Sequence, residues 1–188
     1  MASIVIRTSG DEISGKEAVA DYLRKRGLLY RSWGVGRIKG PLRNSYILHS
    51  GDQRSLLKLY AGEIMELKAS QGYVTEDLVV LSNQTPCLDD ILAKFSREHH
   101  HRDDEVRFVI DGGGLFTVRQ DALIFDVVVE PGDLLVIPAY TRHWFNLMEE
   151  RKIKCIRIFK DPAGWEAVYD LRGVVGDRNV NPRPPGSG

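Results

Sequence analysis

The stretch Glu98-His99-His100-His101-Arg102-Asp103-Asp104-Glu105-Val106-Arg107-Phe108 decides how this chain is read. Its centre is His99-x-His101-x-x-x-Glu105, followed by an apolar run and three glycines, Gly112 to Gly114. In an extended segment, residues two apart share a face. Taken as one extended run, 99 to 108 puts the odd-numbered His99, His101, Glu105 and Arg107 on a single wall. Two imidazoles, a carboxylate and a guanidinium then look into the same space. Far downstream, His143 follows a turn that contains Pro138. Three imidazoles and one carboxylate form a borderline donor set suited to Fe(II), Ni(II), Mn(II), Co(II) or Zn(II). His100 has the opposite parity and is expected to face away.

Working outward, the chain from His99 to Phe159 consists of short β-rich runs. They are Val106 to Ile110, Leu115 to Val118, Leu123 to Val129, Leu134 to Ile137, His143 to Leu147 and Ile153 to Phe159. Turn signals separate them, among them Gln120-Asp121 and Pro131-Gly132-Asp133. Strands at this spacing argue for a sandwich or barrel. Upstream the texture is helical. Ser14-x-x-Glu17 reads as a capping box opening a helix with Ala18, Val19, Tyr22 and Leu23 on one face, stopped at Gly27. Ile4-Val5-Ile6 reads as a strand, with Leu28 to Trp33 as a candidate partner for it. The stripe Leu56, Leu57, Tyr60, Ile64, Leu67 predicts one helix over 52–71, closed by Gly72. Leu78 to Leu81 is strand-like, and a short helix after Thr85-Pro86 puts Ile91, Leu92 and Phe95 on one face. The expected fold class is α+β, mainly β. One domain spans 1–178, with a helical part over 1–95 packed outside a β-barrel over 96–170. The tail 179–188, with three prolines, reads as disordered.

Composition removes several classes of function. The 188 residues carry 26 Lys plus Arg against 26 Asp plus Glu, so no basic excess points to nucleic acid or to a membrane surface. Arg24-Lys25-Arg26 sits at an expected helix end, where cations offset the macrodipole. The two cysteines, Cys87 and Cys155, have no motif spacing. No signal peptide opens the chain, and no apolar run approaches about 18 residues. A cytoplasmic protein with free thiols is the expectation, and a monomer.

Charged neighbours fill out the site. Arg157 lies within the apolar run Ile153 to Phe159, where an unpaired charge would be costly. It reads as a pocket residue ahead of a structural ion pair. Glu98, Asp103 and Asp104 are candidates for orienting the imidazoles, with a solvated charge run as the plainer account of Asp103-Asp104.

These motifs resemble a known family. His99-x-His101-x3-Glu105-x6-Gly112 resembles the first cupin motif, and Gly132-x5-Pro138 with His143 resembles the second, with Tyr140 where a Gly is usual. The resemblance is closer to one branch, the acireductone dioxygenases. It is carried by Glu98-His99-x-His101-x-x-Asp104-Glu105-Val106-Arg107-Phe108 and by Pro138-Ala139-x-Thr141-x-His143-Trp144-Phe145. The segment Ile156-Arg157-Ile158-Phe159-x-x-Pro162-x-Gly164-Trp165 adds to it, and the likeness spans roughly residues 1 to 170.

The resemblance implies a cupin jelly-roll barrel with one Fe(II) or Ni(II) per chain, held by His99, His101, Glu105 and His143. It implies an acireductone substrate, 1,2-dihydroxy-3-keto-5-methylthiopentene, oxidised by O2 in methionine salvage. With iron the products are formate and 2-keto-4-methylthiobutyrate. With nickel they are formate, carbon monoxide and 3-methylthiopropionate. Arg107 and Arg157 would serve the substrate's negative charge as catalytic residues. Phe95, Phe145 and Trp165 would wall the pocket, and Glu98 and Asp104 would support the ligands. The rivals are another cupin enzyme, such as a sugar-phosphate isomerase, and a non-catalytic metal-dependent binding module.

Overall fold

The C-terminal strands are apolar enough that their sheets must be covered by other layers, one sheet against the other and helices outside. The computed structural model describes residues 1–161, 163 and 166–169, so the tail expected at 179–188 lies outside the described residues. In chain order the elements are β1 (Ser3–Ile6), β2 (Glu12–Ser14), α1 (Lys16–Arg24), β3 (Leu29–Ser32), α2 (Pro41–Asn44), α3 (Ser50–Leu59), α4 (Ala61–Gln71) and β4 (Thr75–Leu81). Then come α5 (Leu88–Phe95), β5 (Glu105–Gly112), β6 (Gly114–Gln120), β7 (Leu123–Val129), β8 (Asp133–Ile137), β9 (Arg142–Leu147) and β10 (Ile153–Phe159). One sheet runs β2-β1-β7-β6-β9 and the other β3-β8-β5-β10-β4, all antiparallel. From β5 onward the chain passes back and forth between them, in the manner of a jelly roll. The architecture is the mainly β, α+β one expected, with the N-terminal helices outside the sheets.

The two faces of the second sheet bury different cores. Val109 and Leu135 turn inward to meet Phe116, Val118, Phe125 and Val127 of the first sheet. Val106, Phe108, Ile110, Leu134, Ile156 and Ile158 turn outward, against Leu56, Ile64 and Leu67 of the helices. Burial on both faces is why β8 is apolar at four of its five positions, Leu134 to Ile137. Even Lys154, on this outer face of β10, is fully buried. Its ammonium donates to the carbonyls of Leu42 and Arg43, each at 2.8 Å, and so ties down the chain around α2.

Four local expectations need correction. The helix expected over 52–71 is two helices, broken at Tyr60 (φ −111°, ψ 13°). Tyr60 is fully buried, stacks 6.4 Å from Trp33, meets Phe108 edge-on at 4.6 Å, and donates to the Gly34 carbonyl. Both helices lay the same stripe on the sheet, so the apolar spacing runs through the break unchanged. Ser14 does not cap α1; it ends β2, a strand the sequence did not announce, and Gly15 at φ 91° turns the chain into the helix. The strand at Leu29–Ser32 pairs with β8 in the second sheet rather than with β1. The 99–108 run is not one strand: β5 begins only at Glu105.

Gly112 illustrates why the glycine run is needed. It has φ 74°, and a Cβ there would lie 2.2 Å from the Lys152 carbonyl oxygen. That approach brings the end of β5 against the start of β10, where the register shifts at Lys154/Cys155.

Phe108 is the aromatic centre of the outer core, wholly buried and 4.8 Å from Trp33. Phe108→Ala is expected to lower unfolding stability by roughly 3–5 kcal/mol, read as a shifted urea midpoint. A loss under about 1 kcal/mol would contradict this packing.

Candidate metal centre

A backbone bridge builds the site. His99 and His143 lie opposite each other in an antiparallel bridge, each N–H donating to the other's carbonyl at 3.0 and 2.9 Å. Directly opposed residues point to the same face, so the two imidazoles enter one cavity from segments 44 positions apart, with ring centroids 4.7 Å from each other. His101 follows, its carbonyl accepting from Tyr140 N at 2.8 Å. Tyr140 has φ 63°, the left-handed conformation that explains why the motif usually places a glycine here.

The chain then bends instead of continuing as a strand, and Asp103 makes the bend. It is buried, and it accepts from Asp104 N, Lys160 N and Asp161 N. Glu105 opens β5 on the far side, with its Oε2 3.3 Å from His101 Nε2. Glu105 and Arg107 share a face by strand parity; the histidines join them through the bridge and the bend.

The donor atoms of His99, His101 and His143 lie within 4.8 Å of one another, and all three residues are buried, as is Glu105. Each Nδ1 faces a backbone carbonyl: Arg97 O at 2.6 Å, Glu166 O at 3.1 Å and Thr141 O at 2.8 Å respectively. A carbonyl only accepts, so each Nδ1 carries a proton and each Nε2 is left to face the cavity. Burial pushes the His143 pKa down to about 4 and lowers that of His99, which keeps these imidazoles neutral at pH 7. Burial pushes the Glu105 carboxyl up, but the charge beside it, that of Arg107 first, more than offsets this and holds it low.

The orienting partners are therefore not the ones expected. Glu98 pairs with Arg119 at 2.9 Å and Arg142 at 3.0 Å. Asp104 accepts from Tyr73 OH, Ala139 N and Lys160 Nζ. Burial raises the Asp104 carboxyl, but these donors more than offset it and hold it low. Asp103 and Asp104 are structural acceptors that lock the bend to the end of β10, not a solvated charge run. Nothing in side-chain identity marks Arg97, Thr141 and Glu166, because they act through carbonyls that every residue has.

A cavity of about 350 Å³ opens from the four groups, the size of a small-metabolite site. Arg107 and Arg157 line it, as do Phe95 from α5 and Phe145 from β9. Arg107 Nη2 lies 2.6 Å from Glu105 Oε1. Arg157 faces the cavity and at the same time forms an ion pair with Asp77, so both readings of it hold. Phe145 packs 4.8 Å from Phe116, with Gly114 beneath its ring. Trp165 lies outside the described residues. Sequence reasoning missed several other lining residues, among them Phe116 and Tyr169, whose ring is 5.7 Å from His99; Cys155, in parity with Arg157, lines the cavity too, its thiol pushed up to about 11 by burial. His100 faces elsewhere, bridged to Val168 with its ring 5.8 Å from Tyr140.

One atom tests whether a metal fits. His143 Nε2 is buried and has no hydrogen-bond partner among the described residues. A buried acceptor left bare is costly, and a divalent cation between the three Nε2 atoms and Glu105 removes that cost. The residues present fit a metal.

Comparison with known proteins agrees with this geometry. The model of the ARD/ARD' family matches residues 51–167. The acireductone dioxygenase of Sulfurihydrogenibium sp. (strain YO3AOP1) is 50% identical over 170 residues, covering 90% of this chain and 95% of its own. That of Exiguobacterium sibiricum is 36% identical over 171 residues, covering 90% and 96%. A solved acireductone dioxygenase from Bacillus anthracis, with a cadmium ion in its active centre, superposes with a TM-score of 0.87 at 38% identity, covering 90% of this chain and 98% of that one. The fold, the buried donor set and these likenesses lead to one conclusion: the chain belongs to the acireductone dioxygenase (ARD/ARD') family.

Proposed function

We propose that this chain is a metal-dependent dioxygenase acting on 1,2-dihydroxy-3-keto-5-methylthiopentene in methionine salvage, with both atoms of O2 entering the products. The observation that supports it most is the convergence of three imidazoles, one carboxylate and two guanidiniums on a single largely apolar cavity. Such a set suits a chelating, electron-rich anion. His99, His101, Glu105 and His143 would hold one Fe(II) or Ni(II), which supplies Lewis acidity and a template for substrate oxygens.

The chain's own residues do the rest. Arg107, its Nη2 2.6 Å from Glu105 Oε1, would turn its guanidinium to a substrate oxygen if Glu105 held a metal. A fixed guanidinium stabilises enediolate charge without reorganising. Phe95, Phe116 and Phe145 give the methylthioalkyl tail a dry wall and keep water from the reacting carbons. The carbonyls of Arg97, Thr141 and Glu166 keep a proton on each Nδ1 and so prevent the rings from flipping. Iron would lead to formate and 2-keto-4-methylthiobutyrate, and nickel to formate, carbon monoxide and 3-methylthiopropionate. We further infer a cytoplasmic monomer, a reading that the exposed free thiol of Cys87 and the buried one of Cys155 support for the compartment.

Metal-stripped protein reconstituted with Fe(II) or Ni(II) should consume acireductone and oxygen, followed by ultraviolet absorbance, with carbon monoxide in the headspace only for nickel. No metal-dependent decay from a filled site would sink the proposal. His143→Ala should cost roughly a hundredfold or more in metal affinity, measured by competition with a chelator. Gly114→Ala puts a Cβ 2.1 Å from Phe145 Cε2 and drives the ring into the cavity. It should raise KM roughly tenfold with metal content unchanged.

A further inference from the structure

A transverse row of charges crosses the cavity wall. In register, Asp77 on β4 stands opposite Arg157 on β10, and Arg157 stands opposite Arg107 on β5. Two guanidiniums directly opposite on neighbouring strands repel each other. Among the described residues a carboxylate stands beside each: Glu105 by Arg107 at 2.6 Å, and Asp77 by Arg157. Asp77 takes Arg157 side-on, receiving Nε at 2.7 Å on one oxygen and Nη2 on the other. This fork, through Nε and Nη2, fixes the guanidinium plane. It also holds Arg157 against a wall that Arg107 would otherwise push it from.

We propose that Asp77 is a positioning residue: it holds the Arg157 guanidinium in the cavity so that the bound anion meets two fixed cations, Arg107 and Arg157. Only the identity of that anion rests on the dioxygenase reading. Two effects compete when Asp77 is removed. A negative charge leaves the neighbourhood of an anion site, which favours binding, and the fork that orients Arg157 is lost, which opposes it. Asp77 is 44% exposed at its side chain, so its repulsion of a ligand is screened by solvent, whereas the fork geometry is lost outright. Loss of orientation decides the sign.

The test uses D77N, D77E, R157A and the D77N/R157A pair, in full-length protein loaded with Ni(II) or Fe(II). KM and kcat for acireductone are measured, together with the Kd of oxalate by calorimetry under nitrogen. D77N should raise both KM and the oxalate Kd by about tenfold or more, with kcat changed less than KM. Metal content should be unchanged, D77E should recover part of the loss, and D77N should add nothing in the R157A background. An unchanged or tightened oxalate Kd, loss of metal, or additivity with R157A would overturn the proposal. If D77N does not fold, partial loss in D77E that vanishes in the R157A background decides the matter in the same way. If wild type binds oxalate but leaves acireductone intact, the dioxygenase reading fails while oxalate still decides the role of Asp77. Wild-type protein that does neither overturns both.

Discussion

The pair of backbone hydrogen bonds between His99 and His143 is the constraint on which the site depends. It joins the segment before β5 to the start of β9, and so fixes two imidazoles on one face before any ligand arrives. The cavity then inherits its shape from the sheets. β5 contributes Glu105 and Arg107, and β10 contributes Cys155 and Arg157, all from inward-facing positions. Because the second sheet is buried on both faces, its strands have little freedom to slide, and a one-residue slip would turn every one of these groups outward. A metal site needs that rigidity, since donors must be held to within a fraction of an ångström.

Main chain rather than side chain sets the imidazole tautomers. Three carbonyls receive the Nδ1 protons, and the result is three Nε2 atoms aimed inward. The acidic residues nearby serve a different purpose. Asp103 and Asp104 gather six donors between them and weld the bend after His101 to β10 and to the loop before β9. Glu98 secures Arg119 and Arg142 next to that bridge. The charged run around the histidines is thus a frame for the loop that carries them.

Much of this was legible in the residues. The six C-terminal strands fall where short β-rich runs between turn signals place them, and the three histidines lie together with Glu105 Oε2 3.3 Å from His101 Nε2. What stayed hidden has physical causes. Tyr60 interrupts a helix without disturbing its apolar stripe, because both halves pack on the same sheet face. Strand parity put His99 and His101 on the right wall for the wrong reason, since the bend at Asp103 separates them from β5. Carbonyl partners carry no signature in a sequence, and neither does the register that sets Asp77 beside Arg157. Glu98 and Asp104 looked like supports for imidazoles only because they are their neighbours along the chain.

The account rests on His99, His101, His143 and Glu105 binding one metal together. X-ray absorption of the Ni(II)-loaded protein tests this most directly, because imidazole rings leave a multiple-scattering signature that can be counted. Three imidazoles, oxygen in the remaining positions and no sulfur is the result the account predicts. Two or fewer imidazoles, or a sulfur ligand from Cys155, would contradict it.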